Sequence, residues 1–547
     1  MIPRQDKKRL SLGSIILILL MFVIPVAYWL STSSQPIIDR HVFRQAQTAI
    51  SVKYLFEDGV SVFNYQTPVL GKPWSIPFEF PTYQVIVKII SSMTGWNLVQ
   101  VGRLTNSVLT LLSVITCLLI LWAIRVKEIY IIMFSALVAT SSIYLYWGRS
   151  FLIEMTALLF TALAALFYLN LRFELRSSFK VVFGKNIIVG LFKFLLFTIF
   201  LALGMLTKAT TTLPLIGFVA IDQIYIAIVL MRTEKHLLVA VRSGLIFASI
   251  SFFATALTRL WIRHADALKE LNANAEFILS KNLTLWNFGS LSDRLELSRW
   301  LDVFTGEQEL NIRLIIPISI FALFLGSNAL ILINRSIVAQ KSAYIANFGY
   351  FMYICGPLVF FNLYYVHEYY SSANLLFGYL SLVASSNVID CCVKERLGGN
   401  QFRIFSVILV TFVCVMQLNW FNEHYKRSSF KKTNDALVIS EYVKSNSLPG
   451  DRLITVGEDW SSQLFFLSGR KGLAIRSMSP QSIQSSENEI KKMIDNNSSS
   501  VFLIEKTSSA GQAQASYWPV SNYLKCAVAH QVGKYKAYKC VINKSDQ

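Results

Sequence analysis

Apolar residues in this chain come in long unbroken runs, not in the three- and four-residue spacing of a soluble amphipathic helix. Eleven runs approach the ~20 residues that an α-helix needs to cross a bilayer. They lie at 13–31, 105–124, 129–147, 151–171, 187–206, 211–231, 241–262, 312–333, 344–365, 371–391 and 402–420. Backbone groups in hydrocarbon have no water to bond, so runs of this length are helical. PTYQVIVKIISSMTG (81–95) is apolar but short and carries Lys88. It predicts a helix lying along the interface or re-entering the membrane. The pattern is that of a polytopic α-helical membrane protein with about 11 to 13 transmembrane helices.

After Trp420 the pattern changes. No further spanning run occurs, and β-rich stretches such as DRLITVGE and SVFLIEK alternate with the helix-like DALVISEYVKSN. Residues 421–547 therefore predict a C-terminal α/β domain. Its last part, KCAVAHQVGKYKAYKC, reads as a β-hairpin turning near Val532–Lys534, with Cys526 and Cys540 on neighbouring strands. An oxidising compartment would allow them to form a disulfide. The other five cysteines (117, 355, 391, 392 and 414) fall in or beside apolar runs and read as small hydrophobes.

Composition agrees with this reading. Of 547 residues 54% are hydrophobic and 15% charged, where a soluble protein carries about 25% charged residues. The formal net charge of +19 raises the question of nucleic acid, but no basic-aromatic repeat or zinc spacing accompanies it. In a membrane protein basic residues collect in cytoplasmic loops. With the N-terminus inside, the inner loops hold Arg125 and Lys127; Arg172, Arg176, Lys180 and Lys185; Arg232 and Lys235; Arg335 and Lys341; and Lys394, Arg396 and Arg403. Each is short and basic. The long segments 32–104 and 263–311 and everything after 421 then fall outside, which requires an odd number of helices. The first run, with its basic flank (Arg4, Lys7, Lys8, Arg9) and no small-residue cleavage site, reads as a retained signal anchor.

This orientation puts the unusual polar residues on one side. Asp39, Arg40, His41, Arg44 and Gln45 (DRHVFRQAQTA) follow the first helix; Glu79 stands in PFEFPTYQ; Arg149 and Glu154 (WGRSFLIEMTA) open the fourth helix. Lys208 (GMLTKATTTLP) lies between the fifth and sixth helices, and His367, Glu368, Tyr369 and Tyr370 (HEYY) separate the ninth and tenth. Each has an ordinary reading alone. Arg44, Arg149 and Lys208 could snorkel to headgroups, Glu154 could complement a helix dipole, and His367 with its tyrosines could anchor at the interface. Together, acids and cations at one membrane-level site point to an anionic lipid headgroup and acid–base chemistry. The chain has no G-x-x-x-x-G-K-[ST], no G-x-S-x-G and no H-E-x-x-H. A transferase on the outer face would therefore take its activated donor from the lipid phase.

The order of these motifs resembles the GT-C membrane glycosyltransferases, in particular the branch of protein O-mannosyltransferases and the aminoarabinose transferase of lipid A. The likeness rests on the acid after the first helix (DRHVFRQAQTA), the EFP segment (FEFPTYQ), the R-x-x-x-x-E pair (RSFLIE), the TK…LP turn (TKATTTLP), the H-x-YY turn (HEYY) and the tail VGEDWSSQLFFLSGRKG. It implies a GT-C transmembrane catalytic domain over 1–420, with interfacial helices in the first external loop (32–104), and an extracytoplasmic domain over 421–547. It also implies transfer, with inversion, of a sugar from a polyprenyl-phosphate donor to an acceptor hydroxyl on a lipid, glycan or protein. By resemblance Asp39 is the general base and Arg149 and Lys208 neutralise the leaving phosphate. Glu154 and Glu79 orient hydroxyls, and Arg44, Gln45, His367, Tyr369 and Tyr370 line the cavity. A metal-independent enzyme is favoured over one with a divalent metal, and no cofactor is expected, because the one adjacent acid pair of the first loop, Glu57 and Asp58, precedes a glycine and reads as a turn. The bacterial cytoplasmic membrane is the expected location. An oligosaccharide ligase with a polyprenyl-diphosphate donor and a polyprenyl-lipid transporter are the alternatives; the transporter would call for internal repeats and broken helices at mid-membrane.

Overall fold

The computed structural model describes residues 10–177, 187–231, 237–305, 315–332, 337–397, 400–476, 489–493, 500–506 and 524–542. The basic flank at Arg4–Arg9 and the loop residues Lys180, Lys185, Arg232, Lys235 and Arg335 lie outside them. Each predicted run falls on helix. The first is α1 (Leu12–Ser31). The long loop after it carries α2 (Val42–Tyr54) and α3 (Thr82–Thr94). There follow α4 (Leu98–Ala123), α5 (Glu128–Thr140), α6 (Ser142–Trp147), α7 (Glu154–Ser177), α8 (Ile187–Met231) and α9 (Leu237–Glu270). Short helices α10 (Thr284–Phe288), α11 (Leu291–Leu295) and α12 (Leu297–Thr305) precede α13 (Ile315–Ile331) and α14 (Ile337–Val359). Then come α15 (Phe361–Val366), α16 (Leu375–Leu397) and α17 (Gln401–Trp420).

Seven helical stretches among the described residues are long and apolar enough to cross a membrane. One of them, Ile188–Val229, spans 42 residues and is interrupted at Lys208, whose φ of −160° and ψ of 98° break the helix into the predicted fifth and sixth segments. Large apolar side chains stay exposed along α1 (Ile16, Leu20), α8 (Ile221, Ile224) and α9 (Phe252, Leu260). Apolar surface on that scale is stable only against lipid. The chain is an integral membrane protein.

Two predicted spans are broken. The 129–147 run splits at Ser141 into α5 and α6, and the 344–365 run ends at Val359, two residues after Pro357, before restarting as α15. Helix α4 begins at Leu98, not 105, because Asn97 caps it by accepting from the Val99 and Gln100 amides. That extension brings Arg103 onto the helix. Helices α14 and α16 approach so closely that a Cβ on Gly349 would meet the Phe377 carbonyl oxygen at 2.6 Å and the Ser381 nitrogen at 2.8 Å. Small residues at such crossings let backbones pack in lipid, where no hydrophobic force drives association.

The C-terminal unit contains α18 (Asp435–Ser445), β1 (Arg452–Val456), α19 (Gln463–Ser468), β2 (Lys471–Ile475), β3 (Val501–Lys506), β4 (Leu524–Val532) and β5 (Tyr535–Ile542). The sheet order is β2-β1-β3-β5-β4. Strand β1 is parallel to both neighbours, with Ile454 opposite Leu473 and Leu503, while β5 runs antiparallel to β3 and β4. Cys526 and Cys540 face each other across β4 and β5 and are disulfide-bonded. The outer edge of β2 is covered by the first loop: Gly71 N–H donates to the Gly472 carbonyl (3.0 Å), Gly472 N–H to Pro68 (3.0 Å) and Ala474 N–H to Val69 (2.7 Å).

Gly349→Leu should wedge α14 from α16. Overpacking costs about 1–3 kcal/mol or more, so the purified variant should unfold at a temperature several degrees below wild type in a thermal-shift measurement. An unchanged midpoint would show that the crossing is slack.

Candidate functional site

The chain leaves α1 through Thr32–Ile38 and turns inward at Asp39, whose side chain has no solvent exposure. Both carboxylate oxygens are occupied. Oδ1 accepts from Gln45 Nε2 (2.9 Å) and Arg103 Nη2 (3.2 Å); Oδ2 accepts from Arg103 Nη1 (3.1 Å) and Arg149 Nη2 (3.3 Å). Burial pushes this carboxyl up, but the guanidiniums of Arg103 and Arg149 and the hydrogen bonds from Arg103 and Gln45 outweigh it and hold Asp39 below the usual carboxylate range. Arg149 also donates through Nη2 to Gln35 Oε1 (3.3 Å) and through Nε to Tyr28 Oη (3.2 Å). Its Nη1 is buried with no partner among the described residues.

Arg149 opens a layered stack that leads outward. Its guanidinium lies 5.1 Å from the Tyr146 ring, Tyr146 lies 4.8 Å from Tyr425, and Arg40 lies 5.1 Å from Tyr425 on the far side. Arg40 Nε then pairs with Glu368 at 3.2 Å, and Glu368 also accepts from Tyr425 Oη at 2.8 Å. Alternating guanidinium and phenol rings keep the two cations apart while aromatic faces partly balance their charge.

The other predicted residues form two further ion pairs. Lys208, freed from helical geometry at the kink, bonds to Glu154 at the start of α7, and its ammonium sits 4.3 Å from the Tyr370 ring and 5.6 Å from Tyr369. The second carboxylate oxygen of Glu154 is buried with no partner among the described residues. Arg44 on α2 pairs with Glu79 at 2.6 Å, and these side chains are 22% and 29% exposed. Burial opposes ionisation of Glu79, but Arg44 and Lys208 prevail and keep its pKa low. His41 and His367 stand between these pairs with ring centroids 5.4 Å apart. Burial depresses both, His367 down to about 3 with help from His41, Arg44 and Lys208, so both are neutral at pH 7. His41 adopts φ 47° and ψ 41°, a left-handed conformation that costs a non-glycine residue roughly 1 kcal/mol.

Beside the cluster lies a cavity of about 260 Å³. Its lining is mixed, with Arg40, His41, Asp302, Glu368, Asn374 and Gln417 beside Ile143, Ile316, Pro317 and Leu375. Of the polar residues singled out from the sequence, Arg40, His41 and Glu368 line it. Gln45, Tyr369 and Tyr370 are buried beside it, and Arg149 and Lys208 pair with Asp39 and Glu154. The turn read at Glu57–Gly59 is present, with Val60 N–H donating to the Glu57 carbonyl (2.8 Å).

Arg103 was not anticipated. The signal was there, an arginine three residues from an asparagine in VGRLTN, but starting the helix at 105 left it in a loop. Removing one partner of a buried ion pair costs about 3–5 kcal/mol because it leaves a bare buried charge. Arg103→Ala should therefore destabilise the protein by that amount above pH 5, and Arg103→Ala/Asp39→Asn should recover part of the loss. Because folding lowers the Asp39 pKa, the stability it contributes is present above its unfolded value of about 3.9 and is lost as pH falls through the lower, folded value. The wild-type advantage over Arg103→Ala should shrink on acidification. Chemical denaturation of wild type, Arg103→Ala, Asp39→Asn and the double variant across pH measures both effects, and additive losses in the double variant would refute the pairing.

No family model matches the chain, and no curated protein sequence does. Solved structures do. ArnT from Cupriavidus metallidurans bound to undecaprenyl phosphate matches with a TM-score of 0.58 at 11% identity, over 97% of this chain and 98% of that one. The archaeal oligosaccharyltransferase AglB from Archaeoglobus fulgidus, in complex with an inhibitory peptide and a dolichol-phosphate, gives 0.54 at 10% identity, over 98% of this chain and 75% of that one. The arabinofuranosyltransferase AftD from Mycobacteria gives 0.50 at 12% identity, over 99% of this chain and 40% of that one. At such identities the likeness concerns the backbone: this chain has the GT-C fold, with a small C-terminal sheet domain after the helix bundle.

Proposed function

We propose that the protein is a glycosyltransferase that moves a sugar from a polyprenyl-phosphate carrier to an acceptor hydroxyl at the outer face of a bacterial cytoplasmic membrane, with the N-terminus inside. The observation that carries this reading is Asp39, a carboxylate buried against Arg103 and Arg149 and next in sequence to Arg40 and His41, which line a cavity inside a GT-C helix bundle. Arg40 there offers an anionic headgroup a charged partner. Undecaprenyl phosphate in ArnT and dolichol-phosphate in AglB are ligands of that chemistry on the same fold.

In the proposed reaction the acceptor oxygen attacks the anomeric carbon, its proton passes to Asp39, and the bond from that carbon to the phosphate oxygen breaks. The lipid phosphate leaves as an anion and the anomeric configuration inverts. Arg40 receives the phosphate at the cavity mouth by charge-assisted hydrogen bonds. Asp39 is closed in the structure, so catalysis requires one of its four bonds to open. The bond to Arg149, at 3.3 Å, is the longest of the four, and Arg149 has an unused N–H to offer an arriving anion. A phosphate that draws Arg149 away frees a lone pair on Asp39 as the donor binds. Arg44, Glu79, Glu154 and Lys208 frame the sugar and acceptor hydroxyls, and His367, neutral, contributes hydrogen bonds without charge.

Purified protein in nanodiscs with labelled polyprenyl-phosphate sugars and candidate acceptors tests this. Asp39→Asn should lower transfer by about 10²–10⁴-fold, the usual worth of a general base, while still binding polyprenyl phosphate. Full transfer by Asp39→Asn would remove it as the base. Arg40→Ala should weaken polyprenyl phosphate binding by about tenfold or more. Tight binding of the carrier by wild type with no transfer from any donor would sink the enzyme reading in favour of lipid transport.

A further inference from the structure

The Arg44–Glu79 pair is held by a residue nearly four hundred positions away. Phe43 precedes Arg44 and Phe78 precedes Glu79 in the sequence. Both rings pack on Trp460, Phe43 edge-on at 4.8 Å and Phe78 stacked at 5.8 Å with 21° between planes. Trp460 belongs to the C-terminal unit, on the turn after β1, where Gly457 (φ 80°) and Asp459 (φ 50°) reverse the chain. At Gly457 a Cβ would come within 2.9 Å of the Lys506 carbonyl oxygen, so this turn is fixed against β3. A third ring, Phe277 from the segment after α9, closes on Trp460 at 5.6 Å. Phe277 in turn carries the Arg476 guanidinium 3.3 Å from its centre, and Arg476 pairs with Asp459 at 2.8 Å.

We propose that Trp460 is a positioning residue for the Arg44–Glu79 pair, so that the C-terminal sheet domain is part of the transferase site and not an appendage. Interdomain packing alone would be served by an apolar contact anywhere on this face. Here one indole touches the residue preceding each member of a single ion pair, on two stretches of the first loop 35 positions apart (78 less 43). The backbone around it is tied as well, by the hydrogen bonds between 68–71 and β2 and by Tyr54 Oη donating to the Gly469 carbonyl at 3.3 Å. Tyr65 and Trp261 hold the loop at 76–80 from its other side by hydrogen bonds to Phe78 and Glu79, and the indole clamps it to α2, which bears on the reach of Arg44 toward Glu79.

The functional part of this inference rests on the glycosyltransferase reading; the positioning part does not, and the experiment separates them. Hydrogen exchange on full-length protein in nanodiscs comes first. Trp460→Ala should raise exchange at 42–47 and 76–80 by about tenfold while β1 and β3 stay protected. Unchanged exchange there, or an equal rise through the sheet, overturns the proposal. Trp460→Phe keeps a ring in place and should restore most of the protection; it also serves if the alanine variant fails to fold. In the transfer assay Trp460→Ala should lower kcat/KM about tenfold, and Trp460→Ala/Glu79→Gln should be no worse than Glu79→Gln alone. Losses that multiply would mean that Trp460 acts elsewhere. If wild type transfers no sugar, the functional reading falls, and the exchange data still decide the positioning.

Discussion

One buried carboxylate organises one end of the helix bundle. Asp39 joins the exit of α1 to Arg103 on α4 and to Arg149 in the linker before α7, with Gln45 of α2 as a fourth support. Taking an acid and two guanidiniums out of water costs several kcal/mol for each ion, and such a group holds only because every oxygen is met. The geometry of the loop follows. Gln45 can reach Asp39 and the Phe151 amide at once only if α2 starts at Val42, and that start forces His41 into its left-handed turn.

The same economy of charge recurs at the far ends of the helices. Asp222 on α8 receives Arg172 (2.9 Å), Tyr168 (2.6 Å) and Tyr344 (2.8 Å), and Asp390 on α16 receives Lys127 (2.7 Å) and Arg403 (3.2 Å). Arg172 stands eighteen residues after Glu154 on α7, roughly 27 Å along the axis. The bundle is thus pinned by polar networks at both ends with an apolar middle between them. Spare buried atoms remain at both ends: Arg149 Nη1 and Glu154 Oε2 at one and the Tyr130 hydroxyl of α5 at the other, each without a partner among the described residues.

How much of this was legible depended on which force shaped each part. The spanning helices were, since hydrocarbon imposes one length and one composition; so was the hairpin that brings Cys526 to Cys540, because strand alternation and Gly533 state it locally. The membership of the polar cluster was legible through charges out of place in apolar surroundings, as with Glu154 and Lys208. Pairing was not. Whether Arg149 faces a phosphate or Asp39 depends on Arg103, and Arg103 counts only once Asn97 is recognised as a cap. Helix α2 escaped because its buried face includes Gln45, Gln47 and Ser51, which an apolar-run reading treats as surface.

The strand pairing of Leu70 with Leu473 has a consequence in time. These residues lie 403 positions apart (473 less 70), and at synthesis rates of roughly 5–20 residues per second the second follows the first by roughly 20–80 s. Throughout that interval α2 and the loop at 68–71 have no sheet to lean on. The packing of the first loop is complete only once the sheet has been made.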